Sequence, residues 1–165
     1  MIIYTDGSCL NNQAANKNDC LGGWGSIIIT GEEEIELSGN KRNTTNNEME
    51  LTAVIQALIY IKEMDDTSCS NLSVYSDSLY IVNAINKGWL EKWKTKNYYI
   101  SGGKKRINWE LFQELDTLHK FFLTKGTKIE YTHVLAHSGI EMNERVDTLA
   151  RNRAEELKKK KIYIL

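Results

Sequence analysis

The sequence contains no proline, only three cysteines and no apolar stretch long enough to cross a membrane. An odd number of cysteines without metal-ligand spacing (Cys9, Cys20 and Cys69) fits a reducing cytosol better than a disulfide framework. There is no charged-then-apolar leader, so no secretory signal is expected. These absences predict a cytoplasmic protein with no membrane association.

The chain also lacks an overall excess of charge, because 21 basic residues face 22 acidic ones. A net charge of −1 argues against a nucleic-acid binder, but the distribution of charge matters more than the sum. Between Lys87 and Arg106 there are seven basic residues and one acidic residue, and aromatic residues are interleaved with them. Lysines can hold phosphates while flat rings hold sugars or bases, so the segment at about 87–106 predicts a basic protrusion that binds nucleic acid. The alternative is that Trp89 and Trp93, four residues apart, form one core stripe of a helix.

The hydrophobic pattern predicts an α/β fold in one domain that spans residues 1–165. Predicted strands span residues 1–5, 24–30, 33–38, 72–76 and 129–134. Predicted helices begin at Asn46, Ser78, Asn108 and Asn143. The first three strands read as an antiparallel meander. The remaining two add as parallel strands, which gives a five-stranded mixed sheet flanked by helices.

The start of the helix at Asn46 contains an unusual acid. Thr45 and Glu48 have the spacing of a capping box, which gives Glu48 a structural role. Glu50, by contrast, lies on the apolar face of the helix by its 3.6-residue period. A buried carboxylate is costly unless a cation compensates it. The sequence therefore predicts either a metal ion or a paired lysine or arginine beside Glu50.

Three further acids can meet Glu50. Asp6 and Asp77 each end a predicted strand, and the ends of parallel neighbouring strands meet at the edge where ligands bind in α/β sheets. Asp147 lies in the first turn of the predicted last helix, where the helix dipole favours an anion. Four converging carboxylates would repel one another unless hard divalent cations such as Mg²⁺ bound them. Two such ions can activate a water and stabilise the leaving oxygen of a phosphodiester.

Each of these residues also has an ordinary structural explanation. Asp6 can cap a turn with Gly7, Asp77 can be a helix N-cap, and Asp147 can be a surface acid near a helix end. His137, in a loop with Gly139, can be an exposed side chain, whereas beside a carboxylate site it can assist proton transfer. The joint placement of the acids favours a catalytic site.

Six segments together resemble ribonuclease H of type 1, the family that cuts RNA in RNA–DNA hybrids. They are YTDGSC (4–9), TTNNEMEL (44–51), YSDS (75–78), GWLEKW (88–93), HSG (137–139) and NERVD (143–147). The resemblance covers nearly the whole chain in the expected order. It implies the ribonuclease H-like fold, in agreement with the predicted sheet.

The resemblance also implies a role for individual residues. Asp6, Glu50, Asp77 and Asp147 would bind two Mg²⁺ or Mn²⁺ ions, and His137 would be the catalytic loop histidine. The positions that match substrate contacts are Cys9, Asn12, Asn46 and Asn47 in the minor groove of the hybrid, Thr45 and Asn108 in a phosphate pocket, and Trp89, Trp93 and Tyr98 in the basic protrusion. The minor groove is where 2′-hydroxyls report an RNA strand.

The implied activity is endonucleolytic hydrolysis of the RNA strand by a metal-activated water, leaving 5′-phosphate and 3′-hydroxyl ends. The expected protein is a monomer without an obligate protein partner. Four features depart from the family pattern. Glu48 replaces a frequent basic residue, Leu79 replaces a frequent polar contact, the loop at 11–21 is long, and the basic protrusion aligns imperfectly between Tyr99 and Lys105. These departures concern affinity for substrate rather than the chemistry.

Three other functions remain open from the sequence. A nuclease of the same fold acting on DNA, such as a transposase or a junction resolvase, would share the acids. A response-regulator receiver also gathers acids around Mg²⁺, but it alternates strand and helix from its start, whereas here about forty residues precede the first helix. A catalytically silent hybrid-binding module is disfavoured because all four acids are present.

Overall fold

The computed structural model describes residues 1–11, 20–64, 69–136 and 139–160 of the chain. Its strands are β1 (Ile2–Leu10), β2 (Leu21–Thr30), β3 (Glu33–Arg42), β4 (Asn71–Ser76) and β5 (Lys128–His133). Its helices are α1 (Asn46–Glu63), α2 (Leu79–Asn86), α3 (Trp89–Thr95), α4 (Trp109–Thr124) and α5 (Glu141–Lys160). None of these helices is both long enough and apolar enough to cross a membrane.

The strands form one five-stranded mixed sheet in the order β3-β2-β1-β4-β5. β1 pairs antiparallel with β2, and β2 pairs antiparallel with β3. β4 pairs parallel with both β1 and β5, because α1 and then α2 to α4 carry the chain across between them. The predicted meander with two added parallel strands is confirmed.

The first two strands are longer than predicted. β1 does not stop before Asp6; it continues in register with β2 as far as the pair Leu10 and Leu21. β2 begins at Leu21 rather than at Trp24, and Gly23 is needed near its start because α5 lies against this residue. A β-carbon on Gly23 would lie 2.0 Å from the carbonyl oxygen of Ala150. The prediction failed because close helix packing outweighed the low strand propensity of glycine.

Helices cover both faces of the sheet. Successive strand residues face opposite sides, and a β-carbon on Gly22 would contact Met49 of α1, whereas one on Gly23 would contact α5. α1 and α5 therefore lie on opposite faces. The core centres on the α1 side, where fully buried residues of the sheet such as Ile3 and Val74 pack with Leu58 of α1 in one cluster.

The start of the last helix differs from the prediction. α5 begins at Glu141, so Asn143 lies inside its first turn and is not the cap. Asp147 consequently lies in the second turn, about one turn further from the helix end than expected.

The basic segment folds into a short helix and a hairpin-like loop. α3 places Trp89 and Trp93 side by side, with their ring centroids 6.2 Å apart. Trp93 also meets Phe112 of the core edge-on at 4.9 Å. A bridge between Tyr99 and Lys105 closes the loop that follows. The core-stripe alternative is thus partly realised, because Trp93 packs against the core while staying half-buried.

Candidate active site

The N-terminus of α1 brings Glu50 to the sheet. Thr45 is the N-cap, and its side-chain oxygen accepts a hydrogen bond from the backbone N–H of Glu48 at 3.2 Å. The Glu48 carboxylate pairs with Lys41 of β3, with its Oε1 2.5 Å from the lysine Nζ. Glu50 is only 4% exposed. The predicted burial of Glu50 is confirmed. Thr45 caps the helix as predicted, but the Glu48 carboxylate pairs with Lys41 rather than with the cap residue.

Asp6, Glu50 and Asp77 converge. One carboxylate oxygen from each lies within 4.8 Å of the others. Asp6 and Asp77 meet because the parallel pairing of β1 with β4 ends at Thr5 and Ser76, one residue before each acid. The three acids line a cavity of about 190 Å³. Its other lining residues are Gly7, Ser8, Asn46, Ala136, Asn143, Glu144 and Asp147.

The ordinary structural explanations for Asp6, as a turn cap, and for Asp77, as a helix N-cap, do not hold. Asp6 accepts a hydrogen bond from the Gly7 N–H at 2.8 Å, but both residues lie within β1 rather than in a turn. Asp77 is not the N-cap of α2, because Ser78 occupies that position. The carbonyl oxygen of Asp77 contacts His133 Nε2 at 3.2 Å, which holds the end of β4 to the end of β5.

The raised pKa values of the clustered acids indicate that a nearby positive charge would stabilise their ionised forms. Burial, followed by repulsion from Asp77 and Asp147, raises the pKa of Asp6 to about 8. Burial, followed by the charges of Asp6 and Asp77, also raises the pKa of Glu50 well above its ordinary value. These shifts mean that the cluster resists holding its full negative charge without a cation.

No lysine or arginine supplies that charge to Glu50 within the described part of the chain. Its Oε1 accepts a hydrogen bond from Asn46 Nδ2 at 3.3 Å, and its buried Oε2 has no hydrogen-bond partner there. The alternative of a buried salt bridge is therefore wrong for the described residues. An unpaired carboxylate oxygen next to two other acids fits a hard divalent cation, which takes oxygen ligands.

Asp147 lines the same cavity but lies outside the 4.8 Å cluster. Its Oδ2 pairs with Arg151, one turn further along α5. Such a partly exposed i,i+4 pair contributes only about 0.3–0.5 kcal/mol. A divalent cation competing for the carboxylate would easily exceed that amount, so the pair is compatible with Asp147 as a cation ligand.

Two predicted site residues, His137 and Asn12, lie outside the described residues. Cys9 is half-buried in β1, and its thiol points toward the Thr44 carbonyl oxygen at 3.9 Å. Asn46 lines the acid cavity.

Thr45, Asn47 and Asn108 line a separate cavity of about 450 Å³. Asn108 also starts α4, in a left-handed conformation with φ of 61°. The structure thus brings together the two residues predicted for the phosphate pocket.

The three aromatic residues predicted for the protrusion do not share one environment. Trp89 and Trp93 are half-buried. Tyr98 is only 5% exposed and packs near Trp109 at a centroid distance of 6.2 Å. Its neighbour Tyr99 is 47% exposed. Burial speaks against a substrate contact by Tyr98, and the exposed ring of this segment belongs to Tyr99.

Two residues that line these cavities, Asn143 and Arg106, were not predicted from the sequence as individual site residues. Asn143 was predicted only as a helix cap, yet it is 4% exposed, lines the acid cavity and has an Oδ1 without a partner among the described residues. Arg106 counted only toward the charge of the protrusion, yet it lines two surface cavities. Neither position carries a sequence signal that separates it from an ordinary cap or an ordinary surface cation.

The sheet order, with acids gathered at the ends of its parallel strands, defines the class of protein as one with a ribonuclease H-like fold and a candidate metal site. Comparisons with known proteins narrow this class. The sequence model of the RNase H family matches residues 1–155. The chain is 42% identical over 158 residues to a ribonuclease H of Acetivibrio thermocellus, covering 96% of this chain and 97% of that protein. It is 41% identical over 151 residues to a ribonuclease H of Wolbachia pipientis wMel, with 92% of each chain covered.

Solved structures agree with these sequence matches. A type 1 ribonuclease H with the type 2 active-site motif superposes with a TM-score of 0.76 at 26% identity, covering 94% of this chain and 72% of that one. A second ribonuclease H1, crystallised in complex with an RNA/DNA hybrid, shares the fold with a TM-score of 0.66 at 23% identity, covering 94% and 97%. The chain belongs to the ribonuclease H family and is an enzyme of the nuclease class.

Proposed function

We propose that this protein is an endonuclease that hydrolyses the RNA strand of RNA–DNA hybrids with two Mg²⁺ or Mn²⁺ ions, giving 5′-phosphate and 3′-hydroxyl ends. The observation that carries the proposal is the cluster of Asp6, Glu50 and Asp77 within 4.8 Å in a surface cavity. Support also comes from relatives named ribonuclease H at about 40% identity and from the shared fold of a hybrid-bound ribonuclease H1.

The acids of this chain would hold the cations. Glu50 and Asp77 share a cluster with Asp6, and Asp147 lines the same cavity. Because the charges of both Asp77 and Asp147 act on Asp6, Asp6 would be the residue shared by both ions. When bound, divalent cations supply activation of water and stabilisation of the leaving oxygen of a phosphodiester. Asn46 holds the Glu50 carboxylate through its hydrogen bond. His137 is the proposed residue for proton transfer.

Selection for a hybrid would fall to the residues beside the acids. Asn46 and Asn47 begin α1 next to the cavity, and Cys9 lies on the strand that carries Asp6. These polar groups are proposed to contact the minor groove, where 2′-hydroxyls distinguish RNA from DNA. The basic protrusion at 87–106, with Trp89 and Trp93, would hold the part of the duplex that lies away from the acid cavity. Residues 1–165 are proposed to act as one monomeric domain.

The decisive experiment is a cleavage assay with end-labelled RNA–DNA hybrid, duplex DNA and duplex RNA, each with Mg²⁺, Mn²⁺ or EDTA. We expect cleavage of the RNA strand of the hybrid alone, abolished by EDTA, and products with 5′-phosphate and 3′-hydroxyl ends by mass spectrometry. Asp6→Asn and Asp77→Asn should each lower the rate by at least about 100-fold. Preferential cleavage of duplex DNA would favour the transposase or resolvase alternative, and full activity of both variants would exclude the proposed site.

A further inference from the structure

The surface between the protrusion and the start of α1 holds two open cavities that share a wall. One, of about 690 Å³, is lined by Lys92, Trp93, Lys96, Tyr99, Ile100, Ser101 and Arg106. The other, of about 450 Å³, is lined by Thr45, Asn47, Tyr80, Ile100, Arg106, Ile107 and Asn108. Arg106 and Ile100 line both cavities, so Arg106 is the charged residue at the junction.

The Arg106 side chain is held in place by an aromatic ring. Its guanidinium carbon lies 4.1 Å from the ring centroid of Trp93, within the range of a cation–π contact. Trp93 in turn packs edge-on against Phe112 of the core. The Arg106 backbone N–H donates to the Tyr98 carbonyl oxygen at 2.8 Å, and its own carbonyl oxygen accepts from the Trp109 N–H at 3.3 Å. The guanidinium is therefore positioned before any ligand binds.

Arg106 has no carboxylate partner among the described residues. The ion pairs found among the described residues include other arginines, namely Arg145, Arg151 and Arg153, but not Arg106. A guanidinium stacked on a ring still presents its edge N–H donors, which match the geometry of phosphate oxygens. A preorganised cation without a carboxylate partner is suited to bind an anion.

The second cavity depends on Arg106 for positive charge. Every other residue that lines it is neutral. The Thr45 side-chain oxygen accepts a hydrogen bond as the cap of α1, and its O–H can still donate. The amides of Asn47 and Asn108 add further donors to this cavity. Tyr80 and Ile107 supply flat or apolar surface next to these groups. Amide donors, one guanidinium and an apolar wall together fit a sugar-phosphate unit.

We propose that Arg106 is a substrate-positioning residue that binds a backbone phosphate where the duplex passes from the start of α1 to the basic protrusion. This proposal rests on the proposed function, because it assigns the ligand as a nucleic-acid duplex. Arg106 holds that phosphate for both cavities, so the lysines of α3 and the amides at the start of α1 bind one continuous strand. The residue does not touch the reacting atoms.

The test measures binding of a fluorescent RNA–DNA hybrid by anisotropy in an Asp77→Asn background, at several salt concentrations. Arg106→Ala should weaken binding by about tenfold, because a hydrogen-bonded charge is lost, and should reduce the salt slope of log K by about one. Arg106→Lys should keep the salt slope but recover only part of the affinity. Lys125→Ala is the matched control, since Lys125 is exposed at the C-terminal end of α4, outside the protrusion and both cavities; it should change affinity less than about twofold.

The second measurement is the steady-state kinetics of the enzyme that retains Asp77. Arg106→Ala should raise KM with kcat nearly unchanged, and thermal unfolding should verify that the variant is folded. Equal effects of Arg106→Ala and Lys125→Ala on affinity and salt slope would overturn the proposal, as would a loss confined to kcat. The same series with duplex DNA separates the two proposals. An Arg106-dependent salt slope on duplex DNA without hybrid cleavage would keep the phosphate contact and remove the proposed function, and no binding to either duplex would remove both.

Discussion

The backbones of Gly7 and Glu50 are in direct contact. A β-carbon added to Gly7 would lie 2.2 Å from the backbone nitrogen of Glu50 and 2.5 Å from the carbonyl carbon of Met49. This contact lets α1 approach β1 at the residue next to Asp6. It is the reason that the carboxylate of Glu50 reaches the carboxylates at the ends of the parallel pairing.

Replacing Gly7 by alanine should impair both stability and activity. The added methyl group would meet backbone atoms, which cannot rotate away, so α1 must shift. We expect a loss of about 1–3 kcal/mol in the free energy of unfolding and loss of hybrid cleavage even at temperatures where the variant is folded. Gly31→Ala is the control. Its β-carbon would meet nothing, but its φ of +61° costs about 1–2 kcal/mol. Full activity of Gly7→Ala would show that the acid cluster tolerates displacement of α1.

Divalent cations should raise the thermal stability of the protein through the acid cluster. Mg²⁺ or Mn²⁺ at about 100 times its dissociation constant should add about 2.7 kcal/mol to the free energy of unfolding, because it relieves repulsion among buried carboxylates. Calorimetry with EDTA as reference measures this gain. Asp6→Asn should remove most of it, whereas Glu155→Gln, an exposed acid on α5, should keep it. Equal gains in both variants would place the cation elsewhere.

Asn143→Ala should lower the rate of cleavage by about tenfold with a small change in stability. The buried Oδ1 of Asn143 lines the acid cavity without a partner among the described residues, so its hydrogen bond is available to water or substrate there. Steady-state kinetics together with thermal unfolding measure the two effects. Asn152→Ala, an exposed asparagine on the same helix, is the matched control. A variant that cleaves like the control would reduce Asn143 to a packing residue.

His119 should make the protein less stable as the pH falls from about 6.5 to about 4. Burial lowers its pKa to about 4, and its ring contacts the Tyr131 hydroxyl at 2.8 Å. In that window the unfolded chain binds a proton that the folded protein does not, so the free energy of unfolding drops by up to about 3 kcal/mol. Urea unfolding at a series of pH values measures the slope. His119→Gln should flatten it over this interval, and an unchanged slope would mean that other groups account for it.

Much of the fold was accessible from sequence because its buried strands and helices carry clear periodic patterns. The apolar face that holds Ala53 and Ile61 also fixed Glu50 as the buried acid. The ends of elements were harder to predict. The start of β2 at Leu21 depends on α5 lying against glycines, and that contact is made by residues more than a hundred positions away. Local propensity contains no information on such a contact.

The site was predictable where acids follow strands and less so where loops decide the geometry. Convergence of Asp6 with Asp77 follows from parallel pairing, which the order of strands implies. The burial of Tyr98 could not be predicted in this way. A left-handed backbone at this residue, with φ of 61°, turns its side chain away from the surface that Tyr99 occupies. The dual position of Arg106 likewise depends on how the loop after α3 folds back onto Trp93.

β1 continues for four residues beyond Asp6, where it stays paired with β2. Fraying at the ends of strands costs little free energy, but it reaches only terminal residues. Asp6 is therefore protected from such opening on both sides, whereas Asp77 follows the last residue of its strand. Fraying would therefore reach Asp77 before Asp6, so Asp6 is the more firmly anchored carboxylate of the two.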